Sequence, residues 1–145
     1  MMARNILVAY DGSDLSQKSL EEAKIQADGK RDTNLHLVSV VTQIGPASHQ
    51  GVAQSIQKEV AEKMRNELDE IEKELSNAGY QVQTDVMIDN KQRNAGHNII
   101  EYAEDKQVDV IMIGNRGLGN VKGFFLGSVS SQVIQHATCH VYVIK

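Results

Sequence analysis

Glycine is concentrated in one segment of the chain, Gly114 to Ser128, which holds five of the 11 glycines. Residues without side chains let backbone N–H groups approach a polyphosphate closely. The segment ends at Gly127-Ser128, where a helix is predicted to begin, and the N–H groups and positive dipole end of a helix favour anions. The Ser128 hydroxyl can donate as well. These features favour a phosphate-binding loop over the alternative, a flexible strand-to-helix connection in which Ser128 only caps the helix.

Two familiar phosphate-binding motifs do not fit this segment. A Walker loop needs Gly-Lys followed by Ser or Thr, whereas Gly127 is followed directly by Ser128. The dinucleotide fingerprint G-x-G-x-x-G has two residues before its last glycine, but three residues separate Gly119 from Gly123. The spacing therefore argues against a P-loop NTPase and against a Rossmann dehydrogenase.

Apolar runs and helical periodicities alternate along the whole chain. The predicted strands are Arg4–Tyr10, Leu35–Val41, Tyr80–Ile88, Val108–Ile113 and Cys139–Ile144. The predicted helices run from a Ser13 or Asp14 cap to Gly29, from Val52 to Ala78, around Ile99, Ile100 and Ala103, and from Ser128 to His136. The segments Thr42–Gly51 and Asp89–Asn94 are predicted to connect elements without regular structure.

This alternation implies right-handed crossovers and an α/β fold, with a five-stranded parallel sheet covered by helices on both faces. The length of 145 residues predicts one domain, residues 1–145. Ligands of open parallel sheets bind beyond the carboxyl ends of the strands, where the winding direction changes. That rule selects Asp11-Gly12-Ser13 after the first strand and the segment from Gly114 after the fourth. For Asp11, a structural role in an Asx-type turn is an equal alternative.

The strongest periodicity lies in the long second helix. Its apolar residues are spaced by four residues, and once by three, at Val52, Ile56, Val60, Met64, Leu68, Ile71 and Leu75. This spacing predicts one apolar face along a long amphipathic helix. One face of the third strand is predicted to carry Tyr80, Val82, Val86 and Ile88, and the last helix is predicted to turn Val129, Val133 and Ile134 inward.

Composition excludes several classes of function. Lys and Arg total 15 against 19 for Asp and Glu, the net charge is −4, and Trp is absent, so neither a basic stripe nor an aromatic platform for nucleic acid is present. Without a long apolar run or a signal-like start, the sequence predicts a cytoplasmic protein that does not enter a membrane. Its single cysteine, Cys139, fits a reducing compartment. Together with His136 and His140 it is not expected to form a metal site, because the three residues span a helix end and a strand start and a zinc site would need a fourth ligand.

At the glycine-rich segment the chain resembles a known family, the universal stress proteins of the UspA type, and specifically their ATP-binding branch. That branch has a glycine, two residues, a glycine, nine residues, then Gly-Ser or Gly-Thr. The pattern is matched by Gly114, Gly117, Gly127 and Ser128. The opening Ile6-Leu7-Val8-Ala9-Tyr10-Asp11-Gly12-Ser13 is similar to the family's first strand and turn, and the order of elements agrees over essentially the whole chain.

The resemblance implies a sheet in the order 3-2-1-4-5, one ATP per subunit with Mg²⁺ or Mn²⁺ held through the phosphates, and a homodimer joined through the last strands. It places Asp11 at the ribose hydroxyls with Ala9 and Tyr10 beside it, and the Val40 backbone at the adenine edge. The residues under the ribose and phosphates would be Ile113, Gly114, Asn115, Arg116 and Gly117. Those around the triphosphate would be Gly127, Ser128, Val129 and Ser130.

Two positions depart from the family pattern. The proline usual before the last strand is replaced by His140, and the linker from Asp89 to Gly96 is longer than usual and lacks a glycine at the end of the third strand.

The function predicted from these features is that of an ATP-binding, nucleotide-responsive stress or signalling module. A catalytic role is not predicted, because Arg116 and Lys122 in the loop can stabilise charge but cannot activate water at neutral pH. Two alternatives stay open. One is a slow ATPase or autophosphorylating protein with Ser128 or Ser130 as the acceptor. The other is a dimeric interaction protein without bound nucleotide.

Overall fold

The fold was obtained as a computed structural model, which describes residues 3–28, 32–42, 50–89, 94–115 and 128–145. Five strands alternate with four helices in this part of the chain. In order they are β1 (Arg4–Ala9), α1 (Asp14–Ala27), β2 (Thr33–Thr42), α2 (Gln50–Asn77), β3 (Gln81–Asp89), α3 (Ala95–Asp105), β4 (Val110–Gly114), α4 (Ser128–His136) and β5 (His140–Ile144). The alternation predicted from the sequence is confirmed.

All five strands are parallel and form one sheet in the order β3-β2-β1-β4-β5. At the centre, Val8 of β1 is paired with Leu37 of β2 on one side and with Met112 of β4 on the other. The sheet order expected from the family resemblance is therefore confirmed. β1 and β4 are neighbours although two strands and three helices separate them in sequence, so the winding direction changes between these two strands.

The sheet is covered on both faces, and alternate residues of the central strands β2, β1 and β4 enter different cores. Ile6 and Val8 of β1 pack with Leu20 of α1 and Leu68 of α2 in the first core. The next core lies on the opposite face, where Leu7 packs with residues of α3 and α4, Ile99, Ala103 and Val133 among them. Strands buried on both faces explain the continuous apolar runs of the central sequence segments.

The end of β1 and the start of α1 are fixed by local hydrogen bonds. Ser13 is the N-cap of α1, and its hydroxyl accepts from the N–H of Ser16 over 3.2 Å. Of the two predicted caps, Ser13 is therefore the one used. Gly29, the glycine predicted to end this helix, lies outside the described residues. Within the described residues α1 ends at Ala27.

The long helix α2 buries only part of its predicted apolar face. Leu68 and Leu75 are buried, but Val52, Ile56 and Val60 are exposed by 64%, 45% and 39%. The predicted apolar face is therefore exposed to solvent at these three residues. Each step of four residues advances about 40° beyond a full helical turn, so a run of such steps rotates away from the sheet. Towards the N-terminus, Ala61 and Gln57 take the buried positions instead.

The prediction of an inward face in α4 was wrong for one residue. Ile134 of α4 is 41% exposed, because it is displaced by about 100° from the buried Val133 and both cannot face the sheet. Ile88 of β3 is 43% exposed at the end of an edge strand, where the polar Gln57 of α2 caps the sheet. The strands also begin or end one or two residues from the predicted bounds. Val108, for example, closes α3 by donating its N–H to the Ala103 carbonyl over 2.8 Å.

No helix in the described ranges is both long enough and apolar enough to cross a bilayer.

Candidate functional site

The candidate site lies at the carboxyl edge of the sheet, which is the edge formed by the carboxyl ends of the strands. Asp11 follows the end of β1, and Asn115 follows the end of the neighbouring strand β4. Val40 lies near the end of β2, on the other side of β1. Residues far apart in sequence are thus brought to one edge by the change of winding direction between β1 and β4.

Tyr10 is held at this edge by hydrogen bonds from its backbone and from its side chain. Its N–H donates to the Val38 carbonyl over 2.8 Å, and its carbonyl accepts from the Ser39 hydroxyl over 2.6 Å. Its own hydroxyl donates to Oε1 of Glu67 on α2 over 3.0 Å. Burial, followed by the hydrogen bond to Glu67, raises the pKa of Tyr10 to about 12. The phenol is therefore a proton donor at every physiological pH, and Tyr10 joins β1, β2 and α2.

Asp11 begins the turn into α1. Its Oδ1 accepts from the N–H of Ser13 over 2.9 Å, which is the Asx-type geometry weighed for this residue. Gly12 follows with a φ of 84°, in the left-handed region that favours glycine. A carboxylate has about four lone-pair sites, so one bond to the turn leaves capacity for further donors. The structural role of Asp11 is therefore compatible with binding two hydroxyl groups.

β2 extends past the end of β1, and Val40 lies in this extension, where its backbone has no β1 residue beside it. The last residues paired between these strands are Ala9 and Val38, and β2 continues to Thr42. The Val38 carbonyl points towards β1, where it accepts from Tyr10. Two residues on, the N–H and carbonyl of Val40 point the same way, beyond the end of β1. This backbone edge can accept and donate hydrogen bonds to a planar heterocycle.

Asn115 joins the end of β4 to two other elements. Its N–H donates to the Ile144 carbonyl of β5 over 2.8 Å, and its carbonyl accepts from the Ser130 hydroxyl of α4 over 3.2 Å. Its side-chain Oδ1 is buried and has no hydrogen-bond partner in the described ranges. An unpaired buried acceptor is costly, and a donor from a bound ligand would remove that cost.

The other predicted site residues fall into two groups. Ile113 is buried, Gly114 ends β4, and at the start of α4 Ser128 is exposed and Val129 partly buried. Ala9 ends β1 and packs against the second core. Arg116, Gly117 and Gly127 lie outside the described residues, together with most of the glycine-rich segment. The ends of β1, β2 and β4 and the start of α4 are thus the described part of the candidate site.

In the described residues no three His, Cys, Asp or Glu side chains converge as metal ligands. Cys139 is partly buried, and this burial raises the pKa of its thiol, so the thiolate is disfavoured.

Comparison with known proteins gives a match to the family model "Universal stress protein family" over residues 2–145. The chain belongs to the universal stress protein family. It is 31% identical to the universal stress protein YxiE of Bacillus subtilis, with 99% of this chain and 100% of that protein aligned. Universal stress protein Sll1388 of Synechocystis is also 31% identical, with 97% of this chain and 96% of that protein aligned.

Solved structures of universal stress proteins share the fold. The structure of MJ0577 of Methanocaldococcus jannaschii superposes with a TM-score of 0.84 at 27% identity, covering 100% of this chain and 97% of that one. A universal stress protein from Archaeoglobus fulgidus, solved in complex with dAMP, superposes with a TM-score of 0.61 at 21% identity, and the alignment covers both chains completely.

Sequence reasoning missed the residues that hold Tyr10 in this universal stress protein. Ser39 was detectable as a polar residue inside the apolar run Leu35–Val41, a position that needs a hydrogen-bond partner when buried. Glu67 carried no such signal, because an acidic residue on the polar side of a surface helix is ordinary. The same holds for Gln57, whose Nε2 donates to the carbonyls of Val41 and Asp89 at the ends of β2 and β3.

Proposed function

We propose that this universal stress protein binds ATP at the carboxyl edge of its sheet and acts as a nucleotide-responsive stress or signalling module. The observation that carries the proposal is the placement of three groups at that edge: the Asp11 carboxylate, the Val40 backbone and the Oδ1 of Asn115, which has no hydrogen-bond partner among the described residues. Each is able to accept hydrogen bonds, and Val40 can also donate one. A ribose and an adenine ring offer matching donors and acceptors.

Each part of the nucleotide has its own partner in this proposal. Asp11 accepts from the ribose hydroxyls, and Val40 reads the adenine edge through its backbone. The residues Gly114, Gly117, Gly127 and Ser128 match the spacing of the ATP-binding branch of the family. Together with Ala9, Tyr10, Ile113, Asn115, Arg116, Val129 and Ser130 they would line the site. Mg²⁺ or Mn²⁺ would be held through the phosphates and would neutralise part of their charge.

The solved relatives support an adenine nucleotide as the ligand class. The Archaeoglobus fulgidus protein was solved with dAMP, and a further universal stress protein with the same fold was solved with cAMP, at a TM-score of 0.61 and 19% identity. Both ligands contain adenine and a phosphate. The adenine base is therefore the part of the ligand that those proteins have in common with this proposal.

The decisive experiment is a comparison of ATP and GTP with Mg²⁺ by thermal denaturation. Because a ligand that binds only the native state stabilises it by mass action, ATP at about 100 times its Kd should contribute about 2.7 kcal/mol. GTP should shift the melting temperature less, since its base presents a different edge to Val40. Equal shifts would remove the adenine assignment, and no shift with either nucleotide would refute the proposed function. Analysis of nucleotide released from acid-denatured protein gives an independent test.

The glycine-rich segment is tested by Gly127→Val. We expect this variant to lose ATP binding and to keep its circular dichroism spectrum, because a branched side chain obstructs the approach of backbone amides to phosphate. Gly51→Val is the matched control. An added Cβ at Gly51 meets no atom within 4 Å, so that variant should bind ATP as the wild type does. Normal binding by Gly127→Val would assign the segment to a simple connection.

We further propose that residues 1–145 act as one domain and that the protein is a homodimer joined through β5. In the described part of the sheet β5 is an edge strand, paired only with β4. An uncovered edge presents unpaired backbone groups, and a two-fold axis lets the same strand pair with its copy.

A further inference from the structure

We propose that Glu67 is a positioning residue for the nucleotide site, acting through Tyr10 to hold the Asp11 turn against β2. This inference rests on the proposed function and adds a residue of α2 to it. Glu67 would contact no part of the nucleotide. Its effect would be to fix the direction of the Asp11 carboxylate, and so to set how strongly the protein discriminates a ribose from a deoxyribose.

Two hydrogen bonds of Tyr10 hold the turn from two sides. On one side, the Ser39 hydroxyl of β2 donates to the Tyr10 carbonyl over 2.6 Å. On the other, the Tyr10 hydroxyl donates to Oε1 of Glu67 over 3.0 Å. The Tyr10 side chain is buried, and its exposed fraction is 4%. Since Asp11 is the next residue, rotation of its backbone is limited by a neighbour that is held at both its carbonyl and its side chain.

Gly12 shows that α2 lies directly beside this turn. A Cβ built on Gly12 would stand 3.9 Å from both carboxylate oxygens of Glu67. Glu67 therefore approaches both ends of the segment 10–12: its carboxylate accepts a hydrogen bond from Tyr10 and lies close to Gly12. The remaining bond of the turn, from the Ser13 N–H to Oδ1 of Asp11, orients the carboxylate from the α1 side.

The chemistry of the pair suits a fixed support. A phenol that donates to a carboxylate makes a charge-assisted hydrogen bond, which is stronger than a bond between neutral groups. Tyr10 has a pKa of about 12 and keeps its proton across the physiological range.

The test uses isothermal titration calorimetry of the full-length protein with MgATP and with Mg-2′-deoxyATP. Glu67→Ala removes the acceptor and Tyr10→Phe removes the donor. In both variants we expect the Kd for ATP to rise about fivefold, the effect of losing a hydrogen bond of about 1 kcal/mol. The Kd for 2′-deoxyATP should change less, so the preference for ribose should narrow. Glu67→Gln keeps an acceptor oxygen and should retain most of that preference.

Two controls separate positioning from stability. Glu62→Ala removes the same charge from an exposed position of α2 without a contact to Tyr10, and should leave both Kd values unchanged. The double variant Tyr10→Phe with Glu67→Ala should be no weaker than either single variant, because both remove the same bond.

The results test the role of Glu67 separately from the proposed binding of ATP. If the wild type binds ATP but Glu67→Ala and Tyr10→Phe leave the ATP to 2′-deoxyATP ratio unchanged, Glu67 has only a structural role and the inference is overturned. If the wild type binds neither nucleotide, the proposed function is refuted, and this inference with it.

Discussion

His36 is a buried titratable residue of β2 that contacts Asn5 near the start of β1, whereas the candidate site lies at the carboxyl ends of the strands. It is 3% exposed, and its Nδ1 and Nε2 lie 2.9 Å from the Tyr102 hydroxyl and 3.1 Å from Oδ1 of Asn5. Because an amide oxygen only accepts, Nε2 must carry the proton and donate to Asn5, and Nδ1 then accepts from Tyr102. The neutral imidazole thus has both nitrogens satisfied. Burial, and then the nearby positive charge of Lys106, lower the pKa of His36.

This environment predicts a loss of stability in mild acid. Since the pKa of His36 is lower in the folded than in the unfolded state, the unfolded state binds more protons below about pH 6.5. The contribution of His36 is complete above that pH and is lost as the pH falls towards the folded-state pKa. Urea denaturation at pH 7.5 and 5.0 should show this decrease in the wild type and a smaller one in His36→Gln. His97→Gln, at an exposed position, should behave as the wild type. Equal pH dependence in all three proteins would contradict the prediction.

At the scale of elements, α2 shows which properties of a helix can be predicted from the periodicity of its apolar residues. Its existence, its length and its two ends were predicted within two residues, because seven apolar residues recur at helical spacing. Which of those residues are buried could not be predicted from the spacing alone. The answer depends on where the rotating apolar stripe meets the sheet, and this is determined by the tertiary packing of Leu68 and Leu75 against β2 and β3.

A comparison of two residues on that stripe tests the packing directly. Leu68 is fully buried, so Leu68→Ala should lower the free energy of unfolding by about 3 kcal/mol through lost burial and a cavity. Ile56 belongs to the same sequence pattern but is 45% exposed, and Ile56→Ala should cost about 1 kcal/mol or less. Urea denaturation of both variants measures the difference. Equal losses would mean that Ile56 is covered in solution.

Less of the candidate site than of the fold could be predicted from the sequence. The placement of Asp11 and Asn115 at one edge could be predicted because strand ends can be located from apolar runs, and the rule for parallel sheets then brings those ends together. The support by Ser39 and Glu67 depends on side-chain contacts over 29 and 57 residues of sequence, which no local pattern encodes. The phosphate-binding role of Gly117 and Gly127 stays a prediction from spacing and family resemblance.

At the scale of the whole molecule, the two edges of the sheet differ. The edge strand β3 is packed against α2, and its Asp85 and Thr84 contact Arg65 and Glu72 of that helix. The other edge strand, β5, is five residues long and has Tyr142 42% exposed. Val141 and Val143 pack partly against the second core, so apolar side chains there serve the fold of the single chain. The part of β5 that is available to pair with another strand is therefore its backbone.

That backbone allows a sharper test of the β5 homodimer than a change of side-chain charge. The His140 N–H and the Ile144 carbonyl point towards β4, where they bond to Asp109 and Asn115. By the alternation of a strand, the N–H groups of Val141 and Val143 point outward, to the edge. Val143→Pro removes an outward donor and leaves the bonds to β4 in place, so we expect a folded monomer.

Light scattering at micromolar concentration measures the outcome of that substitution. The wild type should have twice the molar mass of one chain and Val143→Pro the mass of one chain, with matching circular dichroism spectra. Tyr142→Pro removes a donor that points towards β4 and should instead destabilise the fold, which serves as the control for direction. A wild-type monomer would refute the dimer. A Val143→Pro protein that remains a dimer would place the interface on another surface, for which the exposed Val52, Ile56 and Val60 of α2 are the next candidates because they form an apolar stripe without a partner in the described chain.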